Sequence, residues 1–142
     1  MIRTFQPNDS DAVLDLWLAA SIQAHDFVPP AFWREQLPAM REHYLPNAET
    51  LVLDVEGQIL GFLSLHEQRL AALFISPAAQ GRGLGRALLD AAKQCRTTLE
   101  LDVYRANARA VNFYQAGGFR VLDEGPDPHT GQAQLTMRWP GP

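Results

Sequence analysis

Residues 70 to 95 run from an unbroken apolar stretch, Leu70 to Ile75, through Pro77 and a turn with glycines at 81, 83 and 85, into a segment with Leu84, Leu88, Ala91, Ala92 and Cys95 at helical spacing. This strand–turn–helix unit constrains the fold more than any other part of the chain. Six apolar residues without alternation predict a central strand buried on both faces, hence a sheet flanked by helices. Pro77 ends the strand. Glycines at alternate positions leave backbone N–H groups uncovered where a helix begins, and there the macrodipole is positive and the first N–H groups lack partners. Such a turn suits an anion such as a pyrophosphate, and Arg82 and Arg86 add positive charge. Taken alone, the same turn also serves as a tight bend with close helix–sheet packing.

The flanking sequence supplies the rest of a mixed sheet. Met1 to Gln6 reads as a short strand, and Asn8 to Asp11 offers N-caps for a helix carrying Val13, Leu14, Trp17, Leu18 and Ser21 on one face. Phe32 to Tyr44 reads as a second helical region, split or kinked at Pro38. Thr50 to Val55 and Gln58 to Glu67 form a hairpin around Glu56-Gly57. Thr97 to Tyr104 alternates, with Leu99, Leu101 and Val103 facing one way. Asn107 caps a helix that stops at Gly117-Gly118, and Phe119 to Leu122 and Ala133 to Trp139 are the last strands, with residues 125 to 131 a loop. The predicted class is α/β (α+β), in the order β-α-α-β-β-β-α-β-α-β-β.

Several functions are disfavoured by composition. With 142 residues, 46% hydrophobic, the expectation is one domain spanning 1–142. A net charge of −4 and dispersed basic residues argue against a nucleic-acid groove. One cysteine, Cys95, excludes an intrachain disulfide, and four scattered histidines make no metal site. Cys95 falls on the apolar helix face and is expected in the core. No signal-peptide pattern and no membrane-length apolar run is visible, so the expected location is the cytoplasm, with no membrane partner. A dinucleotide fingerprint needs glycine where Arg86 stands, and a Walker loop needs Gly-Lys-Ser/Thr.

Gln80-x-x-Gly83-x-Gly85, after a strand ending Leu-Phe-Ile-x-Pro, resembles the acyl-CoA signature of the GNAT superfamily of N-acetyltransferases. Asn107-Ala108 followed by Phe113-Tyr114 and Gly118-Phe119 resembles a second block of that family, at the family's spacing. The opening region and Ala72-Leu73-Phe74-Ile75 are similar to a small bacterial subgroup. The resemblance implies direct transfer of an acetyl group from acetyl-CoA to an amine in a ternary complex, by a monomer or homodimer. It implies fourth and fifth strands that splay to admit the pantetheine arm. It places CoA on Leu73, Phe74, Ile75, Gln80, Gly81, Arg82, Gly83, Leu84, Gly85, Arg86, Asn107, Phe113 and Tyr114.

For the chemistry, the resemblance makes Tyr114 the general acid for the leaving thiolate; the residue also reads as a core aromatic. Many relatives carry a carboxylate where Ala71 stands, and alanine does no proton chemistry. Asp102 aligns with a glutamate base of protein N-terminal acetylating members, and equally reads as a strand-surface carboxylate; His66, Glu67 or ordered water are further candidates. His25, Asp26 and Phe27 follow the first helix, where the family builds its acceptor pocket, while Phe27 and Trp33 also read as core. A protein that keeps the acyl-CoA cleft without catalysis, a sensor or a subunit, is the alternative, and Ala71 is its motive.

Overall fold

A computed structural model describes residues 1–142. Its elements are β1 (Ile2–Thr4), α1 (Ser10–Ala24), α2 (Pro30–Ala39), β2 (Glu49–Val55), β3 (Gln58–His66), β4 (Arg69–Ile75), α3 (Leu84–Cys95), β5 (Leu99–Tyr104), α4 (Ala108–Ala116), β6 (Arg120–Pro126) and β7 (Ala133–Trp139). The strands make one mixed sheet in the order β1-β2-β3-β4-β5-β7-β6. None of the helices is long and apolar enough to cross a membrane.

Alternation along the strands builds a core on each face of the sheet. Leu63, Leu65, Leu99, Leu101 and Met137 pack with Leu88 and Leu89 of α3 and Tyr114 of α4. On the other face Val52 and Phe62 pack with Val13, Leu14 and Trp17 of α1 and Trp33 of α2. Leu88 and Leu89 are fully buried, each worth about 1.5–3 kcal/mol relative to exposure. Pro38 sits inside α2, and the chain then winds into a π turn over Met40–Tyr44, closed by Leu45 N–H donating to Met40 O at 2.9 Å. The chain thus stays helical past Pro38 without a break.

The functional consequence lies between β4 and β5. These parallel neighbours share a single paired position, Arg69 with Glu100, and then separate. β4 is therefore not the doubly buried strand its composition predicts. Only Leu70 is buried; Ala71 is exposed, and Ala72 to Ile75 are half-buried along an open edge. On its other edge β4 stays paired to β3, with Ser64 opposite Ala72 and Leu65 opposite Leu70. Ala71 is thus the extra residue of a bulge, which bends the strand where the separation begins.

Two more expectations are corrected. Cys95 is exposed, not core: the buried part of the α3 stripe ends at Ala92, and Cys95 closes the helix. β6 continues to Pro126 because Gly125 and Pro126 pair with Gln134 and Ala133, and the strand lies at the sheet's edge, where proline is tolerated.

Candidate active site

The splay, the glycine turn and the start of α4 enclose one cleft of about 740 Å³. Leu73, Phe74 and Ile75 form one wall, and Asn107 and Phe113 another. Gln80, Gly81, Gly83, Leu84, Gly85 and Arg86 form the mouth, and Ala20, Gln23, Ala24 and Asp26 close the α1 side. Eleven residues that the sequence assigned to CoA therefore share one space. Arg82 is not in the lining; its guanidinium leans back toward Ala78 O at 3.5 Å. Tyr114 lies behind Phe113, their ring centroids 5.2 Å apart.

The mouth is built to hold an anion on backbone groups. Gly83 caps α3 in the left-handed conformation, φ +77° and ψ 10°, with no side-chain cap. The first N–H groups of α3 thus have no intrahelical partner and face the mouth. Gly81 shares the left-handed geometry at φ +83°, and a Cβ added at either glycine meets nothing within 4 Å. The demand at Gly83 is therefore conformational, plus whatever lies in the mouth. Gly83→Ala forces alanine into a left-handed backbone at about 1–2 kcal/mol and adds a methyl group at the nest. Steady-state kinetics are expected to show acetyl-CoA KM raised about tenfold, ~1.4 kcal/mol of binding, with kcat at saturation little changed.

Gln80 ties the mouth together. Its Nε2 donates to Gln23 Oε1 at 3.0 Å and Ile75 O at 3.2 Å, and its Oε1 accepts from Arg109 at 3.2 Å. One side chain so links α1, β4 and α4. Arg109 also lines the cleft, yet sequence reasoning passed over it. Its position two residues after Asn107, in the first turn of α4, was the available signal.

Asn107 does two jobs. Its Oδ1 accepts from Ala110 N at 3.2 Å, the N-cap of α4. That fixes the amide so that Nδ2 faces His25 Nε2 at 3.4 Å. The imidazole must accept there, so it is neutral. Burial pushes its pKa down to about 4, and the Ser21 carbonyl one turn back offsets only part of that. Nδ1 is buried without a hydrogen bond of good geometry. His25 packs against Phe27, Trp33 and Tyr104 at centroid distances of 5.7, 5.0 and 5.2 Å. It is a buried support for the cleft wall, whereas its neighbour Asp26 lines the cleft.

Tyr114 carries a ring in the core and a hydroxyl that donates to no protein group. Burial raises its pKa, so the phenol keeps its proton. Asp102 does not line the cleft. Its Oδ2 takes Arg69 Nη2 at 2.6 Å and its Oδ1 takes Thr136 Oγ1 at 2.7 Å. Both oxygens are engaged. His66 and Glu67 sit at the β3–β4 turn, the closed end of the splay, and Glu67 O accepts from Arg96 at 2.6 Å.

The chain is similar to known proteins in sequence and in fold. A family model described as an acetyltransferase (GNAT) domain matches residues 18–139. The chain is 40% identical over 141 residues to the peptidyl-lysine N-acetyltransferase YiaC of Escherichia coli (strain K12), covering 99% of this chain and 97% of that protein. The solution structure of apo YjaB from Escherichia coli aligns with a TM-score of 0.86 at 29% identity, over 100% of this chain and 98% of that one. The structure of yncA from Salmonella typhimurium with its cofactor acetyl-CoA has the same fold, with a TM-score of 0.69 at 21% identity over 97% and 91% of the two chains.

Proposed function

The chain belongs to the GNAT acetyltransferases, whose fold is also seen with acetyl-CoA bound, and on that premise we propose that it acetylates lysine ε-amines of peptides or proteins by direct transfer from acetyl-CoA in a ternary complex. The observation that carries this reading is the continuity of one cleft, from the glycine mouth along the free edge of β4 to Asp26 on the α1 side. The near full-length similarity to a peptidyl-lysine acetyltransferase supports the choice of acceptor.

In this reading the pyrophosphate sits on the N–H groups of the mouth, and the pantetheine arm lies along Leu73, Phe74 and Ile75 in place of a neighbouring strand. β4 offers hydrogen-bonding groups on that edge because β5 has moved away. The same edge supplies donors to the thioester oxygen as charge develops on it. The neutral amine attacks the thioester carbon, the C–N bond forms, the C–S bond breaks, the Tyr114 hydroxyl gives its proton to the departing sulfur, and the proton shed by the now cationic nitrogen returns through water to the phenolate. No nucleophile is placed for a covalent intermediate, so both substrates meet in one complex.

The amine's own proton goes to water. Ala71 offers no base, and both oxygens of Asp102 are taken by Arg69 and Thr136. A lysine amine has a pKa near ~10.4, so only about one in 2,500 is neutral at pH 7. We expect kcat/KM for a lysine peptide to rise about tenfold per pH unit from pH 7 toward pH 9. A plateau below pH 8 places an internal base in the site instead. The acceptor class is tested by incubating protein and acetyl-CoA with a peptide blocked at its N-terminus and carrying one lysine, then following free thiol and peptide mass. Acetylation of an unblocked α-amine or a small amine, with the lysine peptide untouched, overturns the lysine reading.

A further inference from the structure

Two helices start in the cleft, and each carries an arginine where a helix start favours an acid. Arg86 lies in the first turn of α3 and Arg109 in the first turn of α4, and neither turn holds an acidic residue. Cations at that end oppose the macrodipole. Arg86 is offset by Asp90 one turn on, at 3.6 Å. Arg109 has no carboxylate within ion-pair distance, and Asp26, the one carboxylate of the cleft lining, does not reach it. The one protein group its guanidinium bonds is the neutral Gln80 Oε1, at 3.2 Å. An arginine set against a helix dipole with no acid to balance it breaks a local rule of stability, and such breaks are expected at functional sites.

The bond to Gln80 crosses the cleft. Arg109 stands on α4 and Gln80 on the turn between β4 and α3, and both residues line the cleft. β4 and β5 share one paired position, Arg69 with Glu100, so this side-chain bond joins two sides that the sheet leaves apart. Gln80 Nε2 is committed to two acceptors, Gln23 Oε1 and Ile75 O, and that orientation presents Oε1 to Arg109. The guanidinium is thus held between the end of β4 and the start of the glycine turn. An uncharged carbonyl is a weak partner for it. Phosphate oxygens are charged and match its planar fork, so they bind it more strongly.

We propose that Arg109 is the second jaw of the pyrophosphate site: its guanidinium exchanges Gln80 for the phosphate oxygens and holds them from the α4 side, while the N–H groups at the start of α3 hold them from the other. This rests on the pyrophosphate seat proposed above and is independent of which amine is acetylated. The pantetheine arm separates the contact from the thioester, and the contact is the same before and during transfer. It therefore strengthens binding of acetyl-CoA and of product CoA alike and leaves the chemical step to other groups.

The test compares three donors in steady-state kinetics: acetyl-CoA, acetyl-dephospho-CoA, which lacks only the 3′-phosphate, and S-acetylpantetheine, which lacks every phosphate. Wild type is expected to show a KM for acetylpantetheine at least about thirtyfold above that for acetyl-CoA. Arg109→Gln raises the KM for acetyl-CoA and for acetyl-dephospho-CoA about tenfold each, the loss of one charge-assisted contact. It changes kcat/KM for acetylpantetheine by less than about twofold, since that donor brings no anion to the jaw. Arg109 is exposed, so glutamine is accommodated without repacking. A loss with acetyl-CoA alone assigns Arg109 to the 3′-phosphate, and an equal loss with all three donors makes it a prop for the cleft wall. Either result, or no loss at all, overturns the jaw and leaves the pyrophosphate seat standing. Wild type that uses acetylpantetheine with the same KM as acetyl-CoA overturns the seat itself.

Discussion

Tyr114→Phe is expected to lower kcat by about 10²–10⁴-fold, the usual range for removing a general acid, with acetyl-CoA KM within about twofold of wild type. The expectation follows from what the hydroxyl does and does not touch. The ring packs between Phe113 and Phe119 at 5.2 and 5.5 Å, and phenylalanine retains that packing. The hydroxyl donates to no protein group, so deleting it breaks no internal bond and thermal stability should hardly move. Burial raises the phenol's pKa, which keeps it protonated while the amine is being deprotonated by rising pH. One group can thus remain an acid under the conditions in which the other becomes a nucleophile. The check is steady-state kinetics with both substrates varied, together with a melting curve. Unchanged turnover in a folded variant would show that Tyr114 only fills the core.

The second large effect is on stability, and it belongs to His25. Its pKa is pushed down to about 4 in the folded protein, against an ordinary 6.5. Below pH 6.5 the unfolded chain takes up a proton that the folded one refuses, so the unfolded state binds more protons. Stability therefore rises with pH across the window from about 4 to 6.5, and acidification through it costs up to about 3 kcal/mol. The carboxylates act in a different range. Asp9 and Asp127 are held below the ordinary carboxylate value, so their contribution is present above that value and is lost only as pH falls further. Denaturant melts at pH 6.5 and pH 4.5 should show the loss in wild type, and His25→Gln should flatten the difference. Equal pH dependence in the two proteins would assign the acid sensitivity elsewhere. The same imidazole accepts from Asn107, so its protonation also withdraws a support from the cleft wall.

Much of this protein is legible along the chain because the signals are local. The strand before Pro77, the glycines at 81, 83 and 85 and the Asn107 cap each depend on backbone geometry within a few residues. The strand's end, the glycine turn and the cap came out as read, the cap with its bond from Ala110, while the left-handed φ of Gly83 was added by the structure. Where the reading failed, a distant element decided. Leu70 to Ile75 has the composition of a doubly buried strand, yet β5 leaves its side after one paired position. Gly125 and Pro126 have the composition of a loop, yet β7 supplies partners across the edge. Cys95 has the spacing of a core residue, but burial of α3 ends a turn earlier.

The site divides along the same line. The glycine turn at a helix start was legible in the sequence alone, as a property of one segment and its neighbour, and the family resemblance picked out eleven residues that line the cleft. The surroundings of the candidate proton- and acceptor-side residues came only from the tertiary structure. It tied Asp102 to Arg69 from 33 residues away and buried His25 against rings from α2 and β5. A carboxylate's role depends on which cation or hydroxyl reaches it through space, and residue order does not encode that distance.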